Sequence, residues 1–340
     1  MTNPPDPTPV LDLLTAFRTS AVTFASCSLG VFDQLSAAPA SLTALAGRLG
    51  ADSDALRRLL DACVGLGLLT RDGDVYANTP TAQAYLSRTS PRRLTGYLTY
   101  SDRVLWPMWA HLDDAVREGG HRWKQTFGLD GPIFANLFRT EDDKREFLQG
   151  MHGFGLLSSP HVVAAFDLSA YRHLVDLGGA TGHLAVAACR RYTQLRATVF
   201  DLPGVMPQAR ESIAAEADVA GRVEVKAGDF FIDALPPADL YAVGRIIHDW
   251  AEEKIDRLLS AIHAALPAGG ALLIAEKLIA PGRDGPRWAQ LQSLNMLVCA
   301  EGKERTLAEY EGLLRRAGFG RVEGRVTASP LDAILAHKGG

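Results

Sequence analysis

HLVDLGGATG, residues 173–182, is a short apolar run that enters a glycine-rich turn. An apolar run of this length bounded by glycine reads as a buried strand, and HLAVAACRRY behind it, residues 183–192, reads as the helix that carries the chain back. The same rhythm repeats downstream. RATVFDLPG (196–204) is a strand followed by a helix around VMPQARESIAAEA (205–217), and RVEVKAGDFF (222–231), ADLYAVGRII (238–247) and ALLIAEKLI (271–279) are three more short β-type runs. Strands alternating with helices predict a parallel sheet covered on both faces. RVEGRVTASPLDAILAHK (321–338) holds two strand-like runs with no helix between them, so these two are expected to pair antiparallel at one edge of the sheet. Ligands on such sheets bind beyond the carboxyl ends of the strands.

Those ends carry the chemistry. A dinucleotide fingerprint needs glycines at i, i+2 and i+5, and no register of residues 176–182 satisfies it, which disfavours a nicotinamide enzyme. An acid, Asp176, followed by Gly178 and Gly179 instead suits close approach of backbone to a ligand. The second strand ends in Asp201, placed to accept from ribose hydroxyls. The third ends in Asp229-Phe230, an acceptor for an adenine amine beside a ring that can stack. Each has a plainer reading: Asp201, ahead of Leu202-Pro203, serves as a turn acid, and Phe230 as core. Three such features at successive strand ends point to an adenosine-containing ligand without a pyrophosphate.

The fourth end reads GRIIHDWAEEK, residues 244–254. Asp249-x-x-Glu252 has the form of a helix N-cap with a returning carboxylate, ahead of a helix with Ile255, Leu258, Leu259, Ile262 and Leu266 on one face. On this reading Asp249 is a cap in preference to a catalytic group. His248 then faces the positive end of a helix dipole, which predicts a neutral imidazole near pH 7, able to accept a proton. The alternative is a buried histidine that only completes a hydrogen-bond network. Glu276 ends the fifth strand, and Glu301 and Glu304 precede a second capping box, Thr306-x-x-Glu309. An acid in such a place can hold the second ring nitrogen of a histidine and fix its tautomer.

Upstream, residues 11–87 read as short helices followed by a hairpin. SLTALAGRLG and SDALRRLLDACVGLGLL are amphipathic helices, and Asp72-Gly73 turns between two strand-like runs, the order of a winged helix. Eight Arg and no Lys stand against eight Asp and no Glu in the first hundred residues, whereas a DNA reader is clearly basic. Leu13, Phe17, Val22, Phe24, Leu29, Val31 and Phe32 exceed what so small a domain buries alone, which predicts a second subunit or the rest of the chain against it. Residues 88–165 look helical, with Trp106, Trp109, Trp123, Phe127, Phe134 and Phe138 as core or pocket lining. Domains are therefore expected at 1–100 (winged-helix dimerisation), 101–165 (linking helices at the substrate pocket) and 166–340 (the cofactor-binding sheet). The 340 residues are 47% apolar with a net charge of −4, which gives no footprint for nucleic acid or an anionic membrane. No run of 18 or so unbroken apolar residues occurs and MTNPPDPTPV lacks the order of a secretory signal, so a cytoplasmic location is expected. Cys27, Cys63, Cys189 and Cys299 lie far apart among apolar neighbours and read as buried free thiols, with no metal site.

LGVFDQL, DLGGATG, VFDLPGV, GDFF, ADLYAVGRIIHDW, SLNMLVCAEGKERT and DAILA carry a resemblance that runs from about residue 11 to 337. The chain resembles the two-domain, S-adenosylmethionine-dependent small-molecule O-methyltransferases, and within them the hydroxyindole O-methyltransferases and their bacterial relatives. The resemblance implies a seven-stranded Rossmann-like methyltransferase sheet, its last strand antiparallel, behind an N-terminal winged-helix dimerisation domain. It implies cofactor contacts at Gly178, Asp201, Leu202, Asp229, Phe230 and Arg245. It implies His248 as general base flanked by Glu276 and Glu304, with Phe138, Asp249 and Asn295 toward the substrate. One departure stands out: the family's loop usually has a further glycine where this chain has Ala180, whose methyl is expected to crowd the cofactor.

Chemistry narrows the substrate. Moving a proton from a phenol of pKa about 10 to an imidazole near 6.5 costs roughly 5 kcal/mol, whereas an aliphatic alcohol, near water at about 15.7, costs about 12. A phenol-like hydroxyl on a small aromatic molecule is the better match. Competing readings are a C- or N-methyltransferase of the same fold, some of which recruit a metal through a further His where this chain has Asn295, and a ligand-sensing winged-helix regulator.

Overall fold

The computed structural model describes residues 4–130 and 140–339, which divide into two compact units, one through Val104 and one from Leu105. The first unit opens with a helix, Thr8–Leu29, that ends at Gly30 in the left-handed region. After β1 (Ala40–Ser41), the helices Leu42–Leu49 and Ser53–Gly65 begin at Ser41 and Asp52, whose side chains accept from Ala44 N and Ala55 N respectively. A hairpin follows, β2 (Leu69–Asp72) and β3 (Val75–Asn78), turning at Gly73 with φ 59°. The strand order β1-β3-β2 completes a winged helix around Val31, Phe32, Leu45, Leu60, Cys63 and Tyr76.

The sequence led to short helices at the start, and the structure has one of 22 residues instead. It leaves Val10, Leu11, Leu13, Leu14 and Phe17 exposed, Leu13 at 72%. Among the described residues this helix alone is long and apolar enough to cross a membrane, although Asp12, Thr15, Arg18 and Thr19 interrupt its apolar residues.

The second unit is built on a seven-stranded sheet: β4 (His173–Leu177), β5 (Arg196–Asp201), β6 (Val223–Ala227), β7 (Leu240–Gly244), β8 (Ala271–Glu276), β9 (Val322–Arg325) and β10 (Asp332–His337). The spatial order is β6-β5-β4-β7-β8-β10-β9, with β10 antiparallel to both neighbours and the others paired parallel. Strand side chains alternate between faces, and the alternation divides the core in two. Leu174, Ala197, Val199, Leu240, Ala242 and Leu273 pack with Val162, Leu184 and Cys189. Val175, Leu177, Tyr241, Val243, Leu272 and Ile274 pack on the other side with Ile255, Leu258, Tyr310 and Leu314. The order reverses between β4 and β7, so the carboxyl ends of β4, β5, β7 and β8 surround one crevice, as expected of such sheets.

The helices Glu141–Ala164 and His183–Arg191 meet where Gly155 faces His183, and a Cβ at Gly155 would fall 2.2 Å from the imidazole. Gly312, inside Leu307–Arg316, has open space around it. One substitution chemistry should therefore act with opposite sign. Gly155→Ala is expected to cost about 1–3 kcal/mol through overpacking, and Gly312→Ala to stabilise by up to about 1 kcal/mol through helix propensity; urea unfolding midpoints of the two variants check this.

Candidate functional site

The site begins at the glycine loop after β4. Gly178 adopts φ +65°, and a Cβ there would lie 2.5 Å from Ile246 and 3.4 Å from the Phe230 ring. A Cβ at Gly179 would lie 2.7 Å from the Asp176 carboxyl, so the backbone packs where no side chain fits. Asp176 is buried, and burial pushes its carboxyl up to about 7. Its Oδ2 has no hydrogen-bond partner among the described residues. Asp201, at the end of β5, accepts from Ala180 N at 2.8 Å and from its own neighbour Leu202 N at 2.7 Å. Burial raises it to about 6 against those two bonds.

Ala180 explains the departure noted in the sequence. Its φ is +50°, the left-handed region where a side chain costs about 1–2 kcal/mol and glycine fits without strain. The bond to Asp201 holds it there, and its methyl packs with Leu202 on Leu148, Val205, Met206 and Ala209. Asp229 Oδ1 accepts from Phe231 N at 2.8 Å, and the Phe230 and Phe231 rings meet edge to face. Arg245, itself at φ +56°, sets its guanidinium 5.3 Å from the Phe154 ring centre, and Phe154 stacks on Trp288 at 5.9 Å.

The second half of the site lies past β7. Helix Glu252–Ala265 begins at Ala251, with no side-chain cap, which corrects the reading of Asp249 as its cap. Glu252 is the first helical residue, so it cannot return a bond from the third position. His248 sits in a 3-10 turn, Ile247–Asp249, and the turn is tied down from β8: Glu276 Oε1 accepts from Ile246 N at 3.0 Å and Ile247 N at 2.9 Å. The His248 ring is 3% exposed, with Nδ1 2.6 Å from Glu304 Oε1 and 3.1 Å from Glu276 Oε2. Asp249 Oδ1 lies 3.6 Å from Nε2, too far for a hydrogen bond, which leaves that nitrogen unclaimed by the acid.

The predicted neutral ring is also corrected. Burial opposes the imidazolium, but Glu276, Glu304 and Asp249 outweigh it and raise His248 to about 10. The magnitudes agree: a helix end contributes about 0.3–1 kcal/mol, whereas a carboxylate some 3 Å away contributes roughly 5 at an effective dielectric of 20. Burial in turn raises Glu276 to about 7 and Asp249 to about 6. His248, Glu276 and Asp249 titrate as one cluster in which protons are shared. The ligand atoms of His248, Glu276 and Glu304 also lie close enough to hold a metal ion. However, the imidazole Nδ1 is already engaged by a carboxylate at hydrogen-bond distance, the arrangement of a base and its orienting acid.

Glu304 reaches the ring because its loop is stitched in place. Glu301 N donates to Asp249 O, Ile279 N donates to Arg305 O, and a Cβ on Gly302 would lie 2.4 Å from His248 O. The capping box of Thr306 with Glu309 stands as read from the sequence. Glu301 does not join the cluster; it pairs with Lys254 at 2.7 Å. Asn295 is buried, with Oδ1 accepting from Trp109 Nε1 at 2.9 Å. Phe134 and Phe138 lie outside the described residues. Sequence reasoning missed Gly302, the Trp109–Asn295 bond and the fully buried Arg305; Gly302, as a glycine within the charged run Glu301–Arg305, was the one visible signal.

A nucleoside-bearing methyl donor fits this donor set. The glycines admit backbone contact, and Asp176 Oδ2 is a buried acceptor without a donor, the partner that an ammonium or hydroxyl supplies. An α/β sheet with a crevice at its switch point and a histidine–carboxylate pair beside it suits a methyltransferase of the small-molecule type. The O-methyltransferase domain profile matches residues 109–320 and the O-methyltransferase dimerisation profile residues 11–88. The chain is 43% identical over 329 residues to the acetylserotonin O-methyltransferase of Bos taurus and 40% identical over 329 residues to that of Gallus gallus, covering 95% of this chain in each case and 95% and 94% of those proteins. It superposes on the crystal structure of human N-acetylserotonin methyltransferase in complex with SAM with a TM-score of 0.93 and 39% identity, over 100% of both chains. The chain belongs to the O-methyltransferase family, and it is an O-methyltransferase enzyme.

Gly302→Ala should push the Glu304 loop away from the His248 turn without touching the glycine loop. Methyl transfer is expected to fall about 100-fold while affinity for the methyl donor, measured by calorimetry, stays within about threefold; full activity would show that the loop tolerates the displacement.

Proposed function

We propose that this enzyme methylates a phenol-like hydroxyl of a small aromatic molecule, with His248 as general base and Glu304 and Glu276 as the acids that orient it. The methyl donor is S-adenosylmethionine, which when bound supplies an electrophilic methyl on sulfonium, open to in-line attack by oxygen. The loop at Gly178, the acids Asp201 and Asp229, Leu202, Phe230 and Arg245 would hold it, and Asp249 and Asn295 would face the substrate. The observation that carries this reading is the 2.6 Å contact of His248 Nδ1 with Glu304. With the Nδ1 hydrogen directed at the carboxylate, Nε2 is the atom that loses its hydrogen when the imidazolium deprotonates, and the one that then takes the substrate's proton.

The raised ring sharpens the choice of substrate. A phenol of pKa about 10 meets a base of about 10, so the transfer is close to thermoneutral, where an unperturbed imidazole faced roughly 5 kcal/mol. An aliphatic alcohol still lies more than five pKa units uphill, about 8 kcal/mol. Since the Bos taurus and Gallus gallus relatives are acetylserotonin O-methyltransferases, N-acetylserotonin is the first phenol to assay.

The same reading extends to assembly. The dimerisation profile covers most of helix Thr8–Leu29, whose Leu13 and Phe17 are 72% and 55% exposed, and a second copy of the chain is the partner that would cover them. No nucleic acid or membrane enters this scheme, and four buried free thiols suit a reducing, cytoplasmic setting.

Three outcomes test the proposal. His248→Ala should retain donor binding and lose about 10²–10⁴-fold in methyl transfer to N-acetylserotonin, with a smaller loss for a phenol acidic enough to be ionised in the assay; unchanged turnover would remove the ring from the mechanism. The kcat/KM profile should rise with pH over the interval from neutrality to about 10, as the buried imidazolium gives up the proton that blocks Nε2, and should flatten above it. A profile flat across that interval would count against the cluster. Leu13→Asp with Phe17→Asp should convert a dimer to monomer in light scattering, and a wild-type monomer at micromolar concentration would contradict the assembly.

A further inference from the structure

Helix Arg287–Cys299 presents Trp288, Gln292, Asn295 and Cys299 at positions i, i+4, i+7 and i+11, which at 100° per residue fall within an arc of about 60°. Three members of this stripe are tied to the site already described. Trp288 stacks on Phe154, which lies beneath the Arg245 guanidinium. Asn295 gives its oxygen to Trp109 and its amide nitrogen to Cys299 Sγ at 3.5 Å. The Cys299 thiol is pushed up by burial and then by the charge of Asp249, with Arg245 opposing, which places it in the field of both. Gln292 lies between these anchors. Its side chain is 8% exposed, and its Nε2 is buried with no hydrogen-bond partner among the described residues.

An unpaired buried amide is destabilising, and folded proteins retain few. Where one is kept on the wall of a binding site, the partner is commonly the ligand, because a site built to hydrogen-bond a substrate group discriminates against analogues that lack it. We infer that Gln292 is a specificity-determining residue that donates to a carbonyl, of the carboxamide kind, carried by the aromatic substrate away from its reacting hydroxyl. Amide oxygen and nitrogen exchange places by a flip of the side chain. A secondary carboxamide offers both a donor and an acceptor, and therefore satisfies Gln292 in either orientation. The inference rests on the phenol-methylating reading above and adds a second recognition point to it.

The test compares wild type and Gln292→Leu on two 5-hydroxyindoles, N-acetylserotonin and 5-hydroxyindole itself, which lacks the acetamide arm, with labelled S-adenosylmethionine as donor. Wild type should favour the acetylated compound by at least about tenfold in kcat/KM. Gln292→Leu should lose about 10–100-fold on N-acetylserotonin, mainly through KM, and less than about threefold on 5-hydroxyindole. Its thermal unfolding midpoint should not fall, since the variant removes an unpaired polar group; Gln292→Met, of similar shape, serves as the second variant. Equal loss on both compounds together with a lowered midpoint assigns Gln292 to structure and overturns the inference, as does an unchanged preference in both variants. Wild-type turnover of both compounds at equal kcat/KM overturns it while leaving the phenol-methylating reading in place. Turnover of neither by wild type would bring down that reading, and this inference with it.

Discussion

The structure turns on two glutamates that converge on one imidazole nitrogen. Glu276 performs two tasks with its two oxygens: Oε1 gathers the backbone N–H groups of the turn before His248, and Oε2 stands 3.1 Å from the ring. A strand end therefore fixes both the position of the turn and the orientation of the imidazole. Glu304 comes from a different element and closes the arrangement, which is why the loop at Gly302 packs so tightly on the His248–Trp250 backbone. Removing either acid would leave the buried imidazolium with one counter-charge fewer, and a buried cluster of this kind responds as a unit.

Burying three carboxyls around a histidine requires compensation. The imidazolium supplies part, lowering both Glu276 and Asp249 against the rise that burial gives them, and Arg245 adds to it at Asp249; Arg305, 1% exposed and donating from Nη1 to Lys303 O, opposes the glutamates in their effect on the Tyr310 phenol, which burial first of all raises. Buried charges are costly unless paired or hydrogen-bonded. The site thus holds a charged network whose parts come from β7, β8 and the loop ahead of Leu307–Arg316, and the sheet is what keeps those parts in register.

Most of the fold was legible because β4, β5, β7 and β8 are short, largely apolar runs closed by glycine or an acid, and the parallel strands recur with helices between them. His248, Glu276 and Glu304 were legible as residues because they sit at strand and helix boundaries, where chemistry collects on such sheets. The state of the ring was not. The dipole argument needed a helix capped at residue 249, and the cap is Ala251, two residues later. The D-x-x-E pattern is ambiguous in register: the related spelling at Thr306 gives a true capping box, while at Asp249 it gives a carboxylate turned toward a histidine. Long-range placement decided between them, and a linear pattern does not encode it. The opening helix was misjudged in length for a related reason, since its exposed apolar side chains obscure the periodicity that marks a helix with one buried face.

Ala180 shows strain and compensation within the glycine-loop half of the crevice. Its left-handed backbone costs about 1–2 kcal/mol, and the charge-assisted bond from its N–H to Asp201 returns energy of that order. Asp201 in turn is held at an elevated pKa by burial, so the bond that secures the loop is strongest when the acid is ionised and weakens as the acid takes up a proton. The loop and the base cluster therefore both depend on buried acids remaining charged near neutrality, although they lie at the ends of different strands. A cationic donor bound beside them would favour that charged state in both places at once, which gives the acids of the crevice a common electrostatic reason to be buried rather than solvated.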